Sequence, residues 1–443
     1  MTDKDMKMLS PPRSLAPSAV RRMCALVGWS VIVWNQAFAQ QKYQQQQSLT
    51  HVPTHVANAV LPAYDFTPIE QLLRDSLKRF DGGCSLLLMH NGRVIYEKNF
   101  GTINADTIIP IASGSKWLAS ALLMTFIDEG KLSLRDPVSK YLQYLMGTKA
   151  TITVQQLFAH TSGYAGEMSV MRDMKITMKE AAYRISSEPL QYIPGTRFAY
   201  GGASMQLGGR IMEIIGEKSF EELFQERIAQ PLGMTKTSFY GLGKTQNPLL
   251  AGGAKSSARE YARFLQMLMN KGVWQGKRML SEEAIAEMHS NQAGRVPVLR
   301  RLQSTSANLT QTNDVADYGL GVWRVSASAS PSAAFSSSFS SPHSPPNLVP
   351  TLGAPMTASS SATLELMELN SQGRFGFSPW IDVRRNLIGI LSTYTPQSKM
   401  QATYKRMKQL LREIIPVVNS PIPSSTSTAL PQVQQISGAE KKH

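Results

Sequence analysis

The hydrophobic and polar positions begin to follow regular periods near residue 66. Apolar residues recur at helical spacing over residues 69–80. Two apolar stretches of strand composition follow at 84–90 and 93–100, and the Asn-Gly pair between them is a strong hairpin signal. We therefore predict that the globular part of the chain opens with a helix and a two-stranded hairpin.

The later part of the chain changes from helical to strand patterns. The spacing is mostly helical from about 137 to 250, strand-like over 318–325 and 375–394, and amphipathic and helical over 400–418. Strands near both ends with helices between them predict one sheet built from distant parts of the chain. Helices should cover its faces, with a helical insert at one side.

Three segments outside these patterns have biased composition. Residues 40–64 form a polar, Gln-rich linker, and 326–362 hold a Ser-, Pro- and Ala-rich stretch between two predicted neighbouring strands. The tail from 418 to 443 is similarly polar. Such segments bury too little apolar surface to offset their chain entropy, so we expect a disordered insertion and a disordered tail around a domain spanning 65–417.

The N-terminal residues 1–39 have the layout of a secretory signal peptide. Two arginines precede the apolar run 23–34, and Ala37 and Ala39 supply the small residues of a cleavage site. The run is too short to span a bilayer, so we expect export to the periplasm or the outside of the cell without a remaining membrane segment. The arginine pair leaves Sec and twin-arginine export open. One of the two cysteines, Cys24, lies in this segment. After cleavage of the signal peptide only Cys84 would remain, and a single cysteine permits no internal disulfide.

The charge of the chain changes this picture little. The formal net charge is +15, but no run of Lys and Arg is dense enough for a nucleic-acid site, and no helix-turn-helix or zinc spacing is present. Metalloprotease spacings such as H-E-x-x-H are also missing from the sequence. We therefore expect no nucleic-acid partner and no metal, and a basic but solvated surface.

Ser113 and Lys116 are the residues with the clearest catalytic potential. Residues three apart on a helix share a face, so a lysine there lies beside the hydroxyl. A serine at the first turn also keeps a backbone N–H that can point at a developing oxyanion. In a dry site an amine is more easily neutral and can accept the serine proton. The pair therefore suits a nucleophilic serine activated by a lysine.

The histidines offer no competing arrangement. No Gly-x-Ser-x-Gly elbow is present, so a histidine-based triad has no obvious place. His160, in "FAHTSGY", is interpreted as a turn residue that holds its loop rather than as a catalytic base. A lone S-x-x-K motif arises often by chance, so its meaning depends on other segments.

Several segments together resemble the serine β-lactamase and penicillin-binding-protein superfamily, and most of all its class C β-lactamase and esterase branch. They are "IASGSKWLASALL", "LFAHTSGY", "PGTRFAYGGASMQLGG", "QPLGMTKTSFY", "YGLGVW" and "GRFGFSPWID", in the family's order. The resemblance covers about residues 66–415 apart from the insertion. It implies an α/β fold of the α+β type: an antiparallel sheet flanked by helices, with an all-helical subdomain at about 121–250.

The resemblance assigns roles to further residues. It makes Ser113 the nucleophile that forms an acyl-enzyme and Lys116 its partner. Tyr200 matches the tyrosine of the Y-x-N motif and would transfer protons, although an aromatic packed before a helix is the alternative. Gly202 stands where that motif has asparagine. The family's third motif, K-T-G or H-x-G, is matched by Ser371-Gln372-Gly373. The resemblance implies that Gly373 lets substrate approach the strand edge and that the N–H of Arg374 is the second oxyanion donor.

The third motif also departs from the family pattern. Ser371 replaces its cationic residue. Together with Gly202, this change removes the two groups that would bind a substrate amide and a substrate carboxylate. We therefore predict a secreted serine hydrolase that needs no cofactor and acts on a small ester, amide or peptide. A true β-lactamase or D-Ala-D-Ala carboxypeptidase and a non-catalytic ligand-binding descendant remain as alternatives.

Overall fold

The computed structural model describes residues 64–301, 309–326 and 365–417. The predicted signal peptide and the tail lie outside the described residues, and so does the linker apart from residue 64. So does the insertion, apart from its first residue.

The α-helices are short and lie mainly in the middle of the chain. Their bounds are α1 Thr67–Ser76, α2 Gly114–Asp128, α3 Val154–Phe158, α4 Met178–Ser187, α5 Ala203–Gly216, α6 Phe220–Phe224, α7 Ala258–Met269, α8 Glu282–His289 and α9 Gln397–Ile414.

In the described part of the chain the strands form one six-stranded sheet and three two-stranded sheets. Their bounds are β1 Gly83–His90, β2 Arg93–Gly101, β3 Ile109–Pro110, β4 Lys255–Ser256, β5 Val273–Trp274, β6 Lys277–Arg278, β7 Pro297–Arg301, β8 Leu309–Val315, β9 Trp323–Ser326, β10 Leu366–Asn370, β11 Ser378–Asp382 and β12 Leu387–Thr393.

The large sheet joins the two ends of the domain, as predicted. Its six strands are ordered β2-β1-β12-β11-β10-β9, and all neighbours are antiparallel. β1 pairs with β12 across some 300 residues of chain, with Leu87 opposite Ile390. β9 and β10 pair with each other, so the predicted insertion connects neighbouring strands. The α/β fold class is therefore confirmed.

Helices cover both faces of this sheet. Along β1, Leu86 and Leu88 contact the core under α1 and α9, while Leu87 and Met89 contact the core under the other helices. Successive side chains of a strand point to opposite faces. Because both faces are covered, β1 is buried at every position, and residues 86–89 at its centre are all apolar rather than alternating.

The helix behind Ser113 is the centre of the larger core. Thirteen of the fifteen residues of α2 are buried, so this helix has no solvent face. Burial all round holds its first turn in a fixed place between the sheet and the helices of the middle region. None of the helices in the described part of the chain is both long and apolar enough to cross a bilayer.

The three two-stranded sheets were not predicted from the sequence. The β3–β4 pair is two residues long, and so is β5–β6. A two-residue strand has no period that could be recognised, and its pairing depends on where the tertiary fold places the partner. The β3–β4 pair matters for the site because it joins the segment before Ser113 to the segment around residue 254.

Candidate active site

Ser113 lies at the N-terminus of α2, directly after a residue in an unusual backbone conformation. Ala112 has φ 45°, in the left-handed region that non-glycine residues seldom occupy. Such conformations persist where the surrounding structure holds them, and they concentrate at functional sites. The backbone N–H of Ser113 has no hydrogen-bond partner among the described residues. It is therefore available to a bound oxyanion at the positive end of the helix.

Lys116 lies one turn into the same helix, and the structure brings it to Ser113 as predicted. Its Nζ donates to Ser113 Oγ at 3.3 Å and to the carbonyl oxygen of Ala251 at 2.7 Å. The side chain is 3% exposed. No carboxylate in the described part of the chain forms an ion pair with it. A buried amine with only neutral oxygen partners can exchange a proton with Ser113 without breaking an ion pair.

Tyr200 contacts Lys116 through the face of its ring. The Nζ atom lies 4.6 Å from the ring centroid, a distance typical of a cation–π contact. The ring of Trp323 is stacked on that of Tyr200, with centroids 5.3 Å apart and an interplanar angle of 27°. Tyr200 is half-buried, and its hydroxyl forms no hydrogen bond with any described residue. The structure therefore shows the aromatic contacts of Tyr200, and its proton transfer stays a prediction.

The third-motif segment lies against the turn that carries Ser113. A Cβ atom on Gly373 would come within 2.3 Å of the carbonyl oxygen of Ile111, so only glycine permits this approach. The N–H of Arg374 has no partner among the residues that the structure describes, and its side chain is exposed. Ser371 is 2% exposed, and its hydroxyl donates to the carbonyl oxygen of Ser113 at 2.9 Å. This residue holds the nucleophile's turn in place.

Gly202, predicted as a substrate-binding position, lies in a crowded place at the start of α5. A Cβ atom there would meet Ala251 Cβ at 2.6 Å and Met171 Cε at 2.7 Å. Its N–H donates to the carbonyl oxygen of Gly166 at 2.6 Å. The backbone of Gly202 thus packs against the segment that carries the Ala251 carbonyl, and an asparagine side chain would not fit there without displacing it.

Sequence reasoning missed the surroundings of His160. Its φ of 59° fits the predicted turn position, but its ring also lies 4.9 Å from that of Tyr200. Its Nε2 is 3.2 Å from the hydroxyl of Tyr318. Burial, and then the charge of Lys116, hold the pKa of His160 well below its usual range. Burial, and then Tyr200, raise the pKa of Tyr318 well above its usual range. Both side chains are therefore neutral.

Two large aromatic residues near the sequence motifs belong to the core. Trp117 is fully buried and donates through Nε1 to His289 Nε2 at 3.2 Å, and Tyr164 is 2% exposed. A separate surface groove of about 790 Å³ is lined by Tyr144, Tyr183 and other residues of the middle region. It includes none of the predicted site residues. Within the described ranges no three His, Cys, Asp or Glu side chains are grouped as a metal site.

The fold and this site place the chain in a known family. The Beta-lactamase family model matches residues 70–336, more than half of the chain. The protein therefore belongs to the β-lactamase family and has the β-lactamase/transpeptidase-like fold of its serine hydrolases.

Individual relatives show how far the likeness extends. Protein flp from Staphylococcus aureus (strain NCTC 8325 / PS 47) is 29% identical over 174 residues, which are 35% of this chain and 34% of that protein. The chain thus matches about a third of the length of this curated relative.

Two solved structures match over more of the chain. A crystal structure of a candidate β-lactamase from Bacteroides dorei DSM 17855 has 29% identity and a TM-score of 0.60, covering 78% of this chain and 100% of that one. EstCE1, a hydrolase with promiscuous acyltransferase activity, has 17% identity and a TM-score of 0.56, covering 77% and 96%. At 17% identity the second likeness shows the fold alone.

Proposed function

We propose that this protein hydrolyses small neutral esters or amides through an acyl-enzyme on Ser113. The observation that carries the proposal is the buried Lys116 amine, 3.3 Å from Ser113 Oγ at the start of a helix. The backbone N–H of Ser113 there has no partner among the described residues. EstCE1, which shares the fold, is itself a hydrolase.

The proposed reaction has two halves. In the first, Ser113 Oγ bonds to the acyl carbon while its proton passes to Lys116. The oxyanion binds the N–H groups of Ser113 and Arg374, as in other acyl-transfer sites. The bond to the leaving alcohol or amine then breaks, and the leaving group takes the proton, by way of Tyr200. In the second half, water attacks the acyl carbon of the acyl-enzyme. The bond to Ser113 Oγ breaks, the acid is released and the Ser113 hydroxyl takes back a proton.

The residues around Ser113 favour a neutral substrate over a β-lactam or a D-Ala-D-Ala peptide. Ser371 stands where the family has a cationic residue, and its hydroxyl is already donated to the carbonyl of Ser113. Gly202 supplies no amide side chain. Burying a substrate carboxylate without a charged partner is costly, and so is leaving a substrate amide unpaired. A neutral ester needs only the nucleophile, its base and the oxyanion donors.

The experiment compares two substrates on one preparation. We expect ready hydrolysis of p-nitrophenyl acetate or butyrate, slow or absent hydrolysis of nitrocefin, and no turnover of either by Ser113→Ala. A fluorophosphonate probe should label Ser113, located by peptide mass spectrometry. A nitrocefin kcat/KM well above the ester value would favour the β-lactamase alternative. No labelling of the folded protein would favour the non-catalytic one.

A further inference from the structure

The contact between Lys116 and Ala251 is a main-chain contact that no substitution of a side chain removes directly. The carbonyl oxygen of Ala251 is 2.7 Å from Nζ, closer than Ser113 Oγ at 3.3 Å. A carbonyl only accepts hydrogen bonds, so it takes one N–H of the amine whether the lysine is charged or neutral. The contact therefore persists through a cycle of protonation and deprotonation.

This persistence bears on the direction of the nitrogen lone pair. A neutral amine has two N–H groups and one lone pair. When one N–H is held by the Ala251 carbonyl, the nitrogen is fixed in position and its rotation is restricted. The lone pair can then be kept toward Ser113 Oγ instead of turning freely. Misplacing a reacting group by about 1 Å can cost on the order of 10²-fold in rate.

The approach of Ala251 depends on Gly202. A Cβ atom on Gly202 would lie 2.6 Å from Ala251 Cβ, closer than real Cβ contacts. Gly202 has φ −130°, which any residue adopts, so space and not backbone conformation requires the glycine here. The same segment is tied to the start of α2, because Ala254 N–H donates to Ser115 Oγ at 2.9 Å.

We propose that Gly202 and Ala251 are positioning residues for Lys116: the bare Cα of Gly202 lets the Ala251 carbonyl close on the amine and hold it toward Ser113. This inference rests on the proposed function, since it concerns the activation of the same serine. Under this inference Gly202 positions the lysine, whereas the asparagine of the family motif at the same place would contact the substrate.

The test first adds a methyl group at position 202, which clashes with Ala251, and then removes the clash by shortening the side chain at position 251. Gly202→Ala should lower both kcat/KM for p-nitrophenyl acetate and the second-order rate of Ser113 labelling by a fluorophosphonate, by about 10-fold. Gly202→Ala/Ala251→Gly keeps the carbonyl and removes the clashing methyl, so it should recover most of both rates. Ala251→Gly alone is the reference against which the recovery by the double variant is measured.

Met171 provides the matched control. Its Cε would be 2.7 Å from the new methyl group, so Gly202→Ala/Met171→Ala relieves a clash of the same size that does not involve the carbonyl. This pair should not recover the rates. Should Gly202→Ala alone fail to fold, Ala251→Ser enlarges the same contact from the opposite side and should slow labelling likewise.

The outcomes separate this inference from the proposed function. A folded Gly202→Ala protein with wild-type labelling would overturn the inference alone, as would recovery by Met171→Ala but not by Ala251→Gly. If wild-type Ser113 is not labelled at all, the proposed function fails and the inference falls with it.

Discussion

Lys116 and Lys408 are each 3% exposed, yet their surroundings differ in kind. Lys116 contacts two neutral oxygens, the Ser113 hydroxyl and the Ala251 carbonyl. Lys408, in α9 on the opposite side of the sheet, lies 2.9 Å from a carboxylate oxygen of the equally buried Glu368. That contact is an ion pair without hydrogen-bond geometry. Both amines also lie over an aromatic ring, at 4.6 Å and 4.1 Å from its centroid.

The difference teaches what a buried amine needs in order to serve chemistry rather than stability. Burial lowers the pKa of Lys408 to about 8, and the Glu368 charge acts against this decrease. Removing the Lys408 side chain would leave the buried Glu368 carboxylate with Arg412 as its remaining partner, at 3.3 Å, and breaking a buried ion pair is destabilising. Lys116 has no carboxylate partner among the described residues, and its two oxygen contacts are the candidate nucleophile and a main-chain carbonyl. Substitution by methionine should therefore reduce activity at position 116 and stability at position 408.

The largest effect is expected for activity on changing Lys116. Lys116→Met keeps the apolar stem and removes the amine, so kcat/KM for p-nitrophenyl acetate should fall by 10²- to 10⁴-fold, as losses of general bases do. Unfolding in urea should show little loss of stability, because an amine without a counter-ion is removed from the core. If Lys116→Met retains more than a tenth of the wild-type kcat/KM, the buried amine does not activate Ser113.

Changing Lys408 should affect stability instead. Lys408→Met leaves Glu368 with only Arg412, at 3.3 Å, and should lower the free energy of unfolding by about 3 kcal/mol. Activity per folded molecule should stay within about twofold, since this residue is not expected to contact substrate. Lys408→Met/Glu368→Leu should regain much of the loss in urea titrations. A stable single variant with reduced kcat would show that the ion pair acts on the site.

Tyr200 sharpens the description of the Lys116 side. Tyr200→Phe keeps the ring that contacts Lys116 and Trp323 and removes only the hydroxyl. We expect kcat to fall by about 10²-fold, and we expect the loss to be less than multiplicative with Lys116→Met, because the groups act as a unit. Wild-type kcat in Tyr200→Phe would make Tyr200 a packing residue.

The smallest effect is a slope with pH. Because burial lowers the pKa of Lys408 to about 8 from 10.5, the folded chain releases this proton at lower pH than the unfolded chain. Between these two values the unfolded state binds more protons, so the free energy of unfolding should rise with pH, by at most about 1.4 kcal/mol per unit. The stability of wild type minus that of Lys408→Met should therefore increase from pH 8 to pH 10. A flat or falling difference would contradict the assignment.

Local sequence was sufficient for features that depend on short separations. The S-x-x-K spacing places Lys116 beside Ser113 through the helix repeat alone, and the structure keeps the two atoms at 3.3 Å. The Asn-Gly hairpin and the closing helix were predicted for the same reason. The strand patterns on either side of the insertion predicted that these strands are neighbours, and the order of the family segments extended the prediction to the whole fold.

Only the tertiary structure decided which distant groups contact the two lysines. The Ala251 carbonyl is 135 residues from Lys116, and the Ser371 hydroxyl is 258 residues from the Ser113 carbonyl that it bonds. Lys408 lies among the buried residues of α9. Nothing in the local sequence indicates that Glu368, in strand β10, would form an ion pair with it. Helix periodicity specifies which side chains share a face, but a main-chain carbonyl has no sequence signature. Its position depends on how the whole core packs, because the approach of two backbones is set by every side chain that lies between them.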